Sequence, residues 1–112
     1  NIQCRKLDSL DIDNVGLIKI DVEGFEIEVL KGARETLLKN KPIMIIENEV
    51  VHTDDTNELF LFMADLGYEK YICNSKGKLE KIEDFSVQEN QENAINKDIN
   101  YIQNYIFIFK EV

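Results

Sequence analysis

The sequence has few of the residues that build metal centres, disulfide frameworks and nucleic-acid surfaces. Tryptophan is absent, and the 112 residues include one proline, one histidine and two cysteines. Cys4 and Cys73 have neither the spacing of metal ligands nor that of a disulfide framework, so we expect free thiols in a reducing cytoplasm. Basic residues number 13 against 22 acidic ones, and the resulting charge of −9 argues against nucleic acid as a partner.

Long apolar runs are also absent. No segment reaches the length of a membrane span and no charged and then apolar leader opens the sequence, so we expect no membrane partner.

With 44% apolar residues, residues 1–112 can bury a core as a single domain or as part of one. The sequence begins with Asn1 rather than Met, which fits a fragment or a processed chain. Residues 83–100 are rich in Glu, Asn, Gln and Asp, and we predict a mobile loop there.

Glycine is sparse and scattered. Its five positions, 16, 24, 32, 67 and 77, are never closer than eight residues apart. In many α/β proteins, glycines grouped after the first strand let the backbone approach a bound nucleotide or cofactor closely. This sequence contains no such glycine-rich turn.

The clearest pattern lies between Leu17 and Gly32. A short, nearly continuous apolar run reaches Asp21, the sequence breaks into a turn at Glu23, and a helical pattern continues to Gly32. This order predicts a buried strand over 16–22, then a sharp turn and a helix. In open α/β sheets, ligands bind outside the carboxyl ends of the strands, so Asp21 and Glu23 are candidate site residues.

A second strand follows the helical region. Pro42 ends the helical pattern, and residues 42–47 form an apolar run that ends at Glu47. A strand, helix and strand in this order predict a right-handed βαβ unit with parallel strands, which brings Asp21 and Glu47 to the same end of the sheet. Residues 104–110, rich in β-branched and aromatic side chains, predict a final antiparallel strand. The predicted fold class is therefore α/β with a mixed sheet.

The helical region itself is predicted to contain two short helices. Gly32 would end the first in a left-handed cap, and residues 33–39 would form the second. Three- and four-residue spacing predicts a buried face made of Phe25, Val29, Leu30, Ala33 and Leu37. Further on, the pattern predicts a third helix that ends at Gly67, a strand at 68–73, and a further strand or extended arm at 78–82. The apolar face of that helix comprises Leu59, Phe60, Met63 and Leu66.

These residues resemble a known family. The run IKIDVEGFEIEVLKGA, followed by LL and then KPIMIIE, is similar in order and spacing to the FkbM family of S-adenosylmethionine-dependent methyltransferases. KLDSL resembles the family's Leu-Asp-x-Leu stretch, with Lys6 in place of the usual Thr, and the resemblance covers roughly residues 5–72. It implies the C-terminal half of a Rossmann-like methyltransferase fold. It also implies O-methyl transfer to a small-molecule or sugar hydroxyl, with S-adenosylmethionine as the cofactor.

The strand ends and the resemblance together suggest a set of catalytic residues. The candidates are Asp21, Glu23, Glu47 and His52. A positioned carboxylate can orient an acceptor hydroxyl and take its proton, and a histidine can act as a base near neutral pH. The patterning alone also allows an ion pair of Asp21 with Lys19, a helix-start role for Glu23 and a surface position for His52.

Two further residues are cofactor candidates. The resemblance implies that Leu7 and Asp8 lie beside the adenine of S-adenosylmethionine, whereas the sequence alone equally allows Asp8 to cap a helical turn. Glu47 and Asn48 beside Asp21 also resemble the site of metal-dependent O-methyltransferases, which use oxygen ligands at two strand ends. Because FkbM proteins are not generally marked by that site, no metal is predicted.

The absence of a glycine-rich turn leads to two expectations. The chain by itself should bind S-adenosylmethionine weakly or not at all, and should be inactive alone. The strand over 16–22 should form an open edge of the sheet, which favours self-association. The main alternative function is a non-catalytic α/β interaction module. A receiver-like signalling domain is disfavoured, because only two strand-helix units are legible.

Overall fold

The structure is a computed structural model that describes residues 2–22, 24–47, 56–74, 76–82 and 104–110. The loop predicted at 83–100 lies outside these ranges. A 3-10 turn at Leu7–Leu10 precedes the regular elements. The helices are α1 (Glu26–Lys31), α2 (Arg34–Asn40) and α3 (Thr56–Asp65). The strands are β1 (Leu17–Ile20), β2 (Ile43–Glu47), β3 (Tyr68–Cys73), β4 (Leu79–Ile82) and β5 (Asn104–Phe109).

The five described strands form one mixed sheet in the order β1-β2-β5-β3-β4. β1 and β2 are parallel, with Leu17 opposite Ile43 and Ile20 opposite Ile46. β5 is antiparallel to both β2 and β3, and β4 is antiparallel to β3. The sheet confirms the predicted fold class, including the parallel pair and the antiparallel final strand. β5, the last of the described strands, takes the central place in the sheet.

The core lies on one face of this sheet. Side chains alternate between the two faces of a strand, and one set of alternate positions is buried. On the strands this buried set is Ile20, Met44, Ile46, Tyr68, Tyr105 and Phe107, and the helices add Leu30, Leu37, Leu59, Phe60, Met63 and Leu66. The opposite face is more open, since Leu17 is 58% exposed and Ile43 is 44% exposed.

The apolar face predicted for the first helix is partly wrong. Leu30, Ala33 and Leu37 are buried, but Phe25 is 65% exposed and Val29 is 37% exposed. The prediction treated residues 25–37 as one continuous periodic pattern. In the structure the chain breaks between α1 and α2, so each helix sets its own buried side, and α1 buries Glu26, Ile27 and Leu30.

Gly32 separates the two helices, as predicted, but not through a left-handed cap. Its φ of −78° lies in the right-handed region. The reason for glycine is close approach: a Cβ at this position would lie 3.3 Å from Cγ of Lys6. The N–H of Asp8 donates a hydrogen bond to the carbonyl of Gly32 at 2.9 Å. Lys6 and the 3-10 turn that follows it therefore pack directly against the junction between α1 and α2.

Later elements follow the predicted pattern closely. Gly67 ends the third helical region with a φ of +98°, a conformation that favours glycine. The hydroxyl of Tyr68, at the start of β3, donates a hydrogen bond of 2.7 Å to the carbonyl of Pro42, and burial raises the pKa of Tyr68 to about 12. Within the described ranges, no helix has both the length and the apolar character needed to cross a bilayer.

Candidate functional site

The carboxyl ends of β1 and β2 lie side by side. Ile20 and Ile46 are partners in the parallel register, and the next residue on each strand carries a carboxylate, Asp21 and Glu47. Both therefore lie at the end of the sheet that is formed by the carboxyl ends of the parallel strands, as the βαβ pattern predicted. We call this end the sheet edge. Asp21 is exposed and Glu47 is half-buried, so a molecule in solution can reach the carboxylate of Asp21. Their catalytic role stays a prediction.

A third polar residue joins this edge from the other end of the chain. Asn104, the first residue of β5, pairs across the ladder with Glu47. Because paired residues project from the same face of a sheet, Asn104 and Glu47 both project away from buried Ile46 and Tyr105. Reasoning from the sequence missed Asn104, because nothing local in the sequence places the final strand next to β2.

The turn after β1 is held by a buried carboxylate. Gly24 has a φ of +100°, and its N–H donates to both oxygens of Glu26, at 3.1 and 3.2 Å. Glu26 is only 3% exposed although its side chain ends in a polar carboxyl group. The Glu26 side chain thus fixes the turn that leads from Asp21 into α1. The spacing of residues in the sequence gave no sign of this burial.

An aromatic ring stands at the same turn. Phe25, between Gly24 and Glu26, is 65% exposed. A large apolar side chain with this exposure, next to a strand end that carries a carboxylate, offers a flat surface to the apolar face of a bound molecule. Phe25 is therefore a second candidate that the sequence analysis assigned instead to the core. Glu23, which precedes this turn, lies outside the described residues.

The cofactor candidates Leu7 and Asp8 serve as structural contacts in this structure. Leu7 packs against the core cluster. Oδ1 of Asp8 accepts hydrogen bonds from the N–H and hydroxyl of Thr36, at 2.8 and 2.7 Å, and Oδ2 accepts one from the N–H of Glu35 at 3.1 Å. Asp8 therefore caps α2, a helix distant in sequence, and not the next turn of the chain as the sequence alternative had it. A contact with adenine stays a prediction for both residues.

The hydrogen bonds at Asp8 also shift its acidity. Partial burial of the carboxyl opposes ionisation, but the hydrogen bonds from Thr36 and Glu35 and the charge of Lys6 outweigh that effect and lower the pKa of Asp8. The carboxylate is thus ionised at neutral pH, with both oxygens engaged at the first turn of α2.

Two predicted residues, His52 and Asn48, lie outside the described part of the chain. Among the residues that are described, no group of three or more His, Cys, Asp and Glu side chains is placed to hold a metal ion. Cys4 and Cys73 are both free and exposed. The site residues that were predicted from the sequence and are described divide into Asp21 and Glu47 at the sheet edge, and Leu7 and Asp8 at the helix junction.

Comparison with known proteins gives one match. The model of the FkbM methyltransferase domain matches residues 1–70, a range that contains β1, both short helices, β2 and α3. No curated protein and no solved structure matches the chain. The matched range includes both carboxylates at the sheet edge and covers more than half of the 112 residues. The chain therefore belongs to the FkbM methyltransferase domain family.

Proposed function

We propose that this chain supplies the acceptor side of an O-methyltransferase that acts on a small-molecule or sugar hydroxyl. The observation that carries the proposal is the parallel register of β1 and β2, which brings Asp21 and Glu47 to one edge within the family match. In methyl transfer, the cofactor of this family, S-adenosylmethionine, supplies the electrophilic methyl group. The protein has to align the attacking oxygen and remove its proton.

The residues at the edge suit that task. The carboxylate of Asp21 is exposed and can accept the acceptor's hydroxyl proton directly. Glu47 and Asn104, paired on the adjacent strands, offer further oxygen atoms and an amide donor to neighbouring hydroxyls, which suits a polyhydroxylated acceptor. Glu26 acts as a positioning residue, because its hydrogen bonds to Gly24 hold the turn that follows Asp21.

The described residues do not provide a cradle for the cofactor. The one glycine turn that follows a parallel strand has its Gly24 N–H engaged by Glu26, and the sequence has no second glycine near it. We therefore propose that the 112-residue chain is inactive alone. Transfer would require a glycine-rich strand-turn-helix unit that residues 1–112 do not contain.

The test is complementation. The purified chain is mixed with a separate polypeptide that carries the glycine-rich unit of an FkbM-family protein, and transfer of a labelled methyl group to a panel of sugar and small-molecule hydroxyls is measured. We expect transfer only in the mixture. Replacing the proposed base by Asp21→Asn should lower the rate about 100-fold, the lower end of what a positioned base contributes. The matched control, Asp65→Asn, alters an exposed carboxyl at the end of α3 and should leave the rate unchanged.

Two results would contradict the proposal. Micromolar binding of S-adenosylmethionine to the chain alone, measured by calorimetry, would show that the glycine-rich unit is not needed. A mixture that forms a stable complex and binds the cofactor, yet transfers no methyl group to any acceptor, would favour the alternative of a non-catalytic interaction module.

A further inference from the structure

Two neighbouring residues in the turn after β1 reverse the usual pattern of burial. Glu26 is buried, at 3% exposed, whereas Phe25 is 65% exposed. Carboxyl groups usually remain in water and large aromatic side chains usually enter the core, so this arrangement costs free energy of folding at both positions. Costs of this kind concentrate at functional sites, where the fold is adapted to a ligand.

The ring of Phe25 does not contribute to the core. The other described phenylalanines, Phe60, Phe62, Phe107 and Phe109, belong to the core cluster or pack against it. Phe25 is outside that cluster, and its ring forms no aromatic or cation contact with another described residue. Within the described part of the chain, the surface of this ring is therefore free to contact another molecule.

The backbone on both sides of this ring is held in place. Before Phe25, the N–H of Gly24, a residue with a φ of +100°, donates to both carboxyl oxygens of the buried Glu26. After it, the N–H of Val29 donates a hydrogen bond of 3.1 Å to the carbonyl of Phe25, as in the first turn of a helix. A ligand that binds the ring does not have to order a flexible loop first.

A second apolar side chain extends the surface. Val29 follows Phe25 by four residues, the spacing that places two side chains on the same side of a helix, and it is 37% exposed. We call Phe25 and Val29 the apolar shelf. Asp21 precedes Phe25 by four residues, so their Cα atoms are at most about 14 Å apart, and the bend at Gly24 shortens that distance. One small molecule can therefore contact both the shelf and the carboxylate of Asp21.

The size and charge of the shelf indicate what it binds. A phenylalanine and a valine offer far less than the roughly 800 Å² that each partner contributes to a stable protein interface, but they match the face of a single ring. Exposed carboxylates lie on both sides of Phe25, at Asp21 and Glu28, and the net charge of the chain is −9, which disfavours an anionic lipid surface. A small ring without negative charge is the ligand that fits.

We propose that Phe25 is a specificity-determining residue, which selects acceptors whose reactive hydroxyl group is attached to a ring. The ring stacks on the apolar shelf, and the hydroxyl group donates a hydrogen bond to the carboxylate of Asp21. An aromatic ring and a pyranose both offer such an apolar face. The identity of this ligand as the acceptor rests on the proposed function, whereas the binding of a ring to Phe25 does not depend on methyl transfer.

The experiment is a titration of the isotope-labelled 112-residue chain, followed by the amide NMR signals of Gly24, Phe25 and Val29. The probes are phenol as an aromatic ring, methyl β-galactopyranoside as a pyranose, and glycerol as a set of hydroxyl groups without a ring. We expect at least one ring compound to bind with a dissociation constant of about 1 to 10 mM, and glycerol to bind at least about tenfold more weakly. The ring compound that binds more tightly identifies the type of ring that the acceptor carries.

Three variants test the role of the ring. Phe25→Ala should raise the dissociation constant of the ring compound about tenfold, because it removes the stacking surface. Phe25→Tyr keeps an aromatic ring and should stay within about twofold of the original value. Leu61→Ala is the matched control, since Leu61 on α3 is 66% exposed and lies outside the shelf. It should also leave the constant within about twofold.

Three results would overturn the proposal. The first is that neither ring compound binds up to about 50 mM, and the second is that Phe25→Ala binds them as well as the original chain does. The third is a large fall in the urea midpoint of Phe25→Ala, because the ring would then serve the fold rather than a ligand, whereas we expect an exposed substitution to leave the midpoint unchanged.

Failure of the proposed function would look different. If ring binding depends on Phe25 but the complemented mixture transfers no methyl group, the methyl-transfer proposal is wrong and the ring-binding shelf stands. If the mixture methylates ring and ringless acceptors equally well, with or without Phe25→Ala, the proposed function stands and the role of Phe25 is wrong.

Discussion

At the scale of single residues, the acidic side chains of this chain divide between structural and solvent-facing positions. Asp8 and Glu26 use both carboxylate oxygens to hold backbone N–H groups, on Glu35, Thr36 and Gly24. Asp21 is exposed at a strand end. Residue type and spacing do not separate the two groups, because they differ in which backbone N–H groups reach each carboxylate.

The cap formed by Asp8 can be tested by mutation. Asp8→Ala removes an acceptor for two backbone N–H groups and a hydroxyl, and we expect it to lower the free energy of unfolding by about 1 kcal/mol at pH 7. Urea unfolding followed by circular dichroism measures the loss. Asp65→Ala is the control, since an exposed substitution should change stability by less than about 0.5 kcal/mol.

The same pair of variants should show a defined pH dependence. The folded-state pKa of Asp8 is lowered, so its contribution to stability is present above the ordinary pKa of 3.8 and is lost as the pH falls through the lower folded-state value. The difference between the original chain and Asp8→Ala should therefore be constant near neutrality and shrink below about pH 4. A difference that grows on acidification would contradict this role.

At the scale of elements, the junction of α1 and α2 depends on a close approach between chain segments. Gly32 lies against Lys6, and the adjacent 3-10 turn supplies the carboxylate that caps α2. The two helices and the turn thus form one unit, in which glycine matters for the space that it leaves rather than for an unusual backbone conformation.

This arrangement predicts that two distant substitutions are coupled. Gly32→Val adds a branched side chain where a Cβ alone would already lie 3.3 Å from Cγ of Lys6, so it should push Lys6 and the adjoining turn away from the helices. Its destabilisation, measured by urea unfolding, should be at least as large as that of Asp8→Ala. The double variant should lose less free energy of unfolding than the sum of the two single variants, since both substitutions break the same contact. Strict additivity would show that Gly32 does not position Asp8.

At the scale of the whole molecule, the described helices cover one face of a five-stranded sheet. The elements were largely predictable. The apolar runs predicted β1 and β2, the βαβ order predicted their parallel pairing, and Gly67 predicted the end of the third helix. Each of these features depends on local patterning and chain connectivity. The central position of β5 was not predictable, because pairing between strands distant in sequence leaves no local signal.

Net charge also acts at this scale. With 22 acidic and 13 basic residues, the folded chain carries an excess of nine negative charges that repel one another. Raising NaCl from about 10 mM to about 150 mM shortens the screening length from about 30 Å to about 8 Å and should raise the thermal unfolding midpoint. Scanning calorimetry measures it. Salt also weakens exposed ion pairs, such as that of Lys31 with Glu58 at 3.1 Å, but these pairs contribute little to the free energy of unfolding. A midpoint that falls with salt would show that such pairs dominate.

The sequence by itself determined the family, the α/β class and the placement of two carboxylates at one sheet edge. These follow from short-range periodicity, from the turn residues and from the connection between consecutive strands. Only the tertiary structure decided that Asn104 joins Glu47, that Asp8 caps a helix whose bonded residues lie 27 and 28 positions away, and that Glu26 is buried. Each of these is a contact between segments, and its partner is set by how the whole chain packs rather than by the residues beside it.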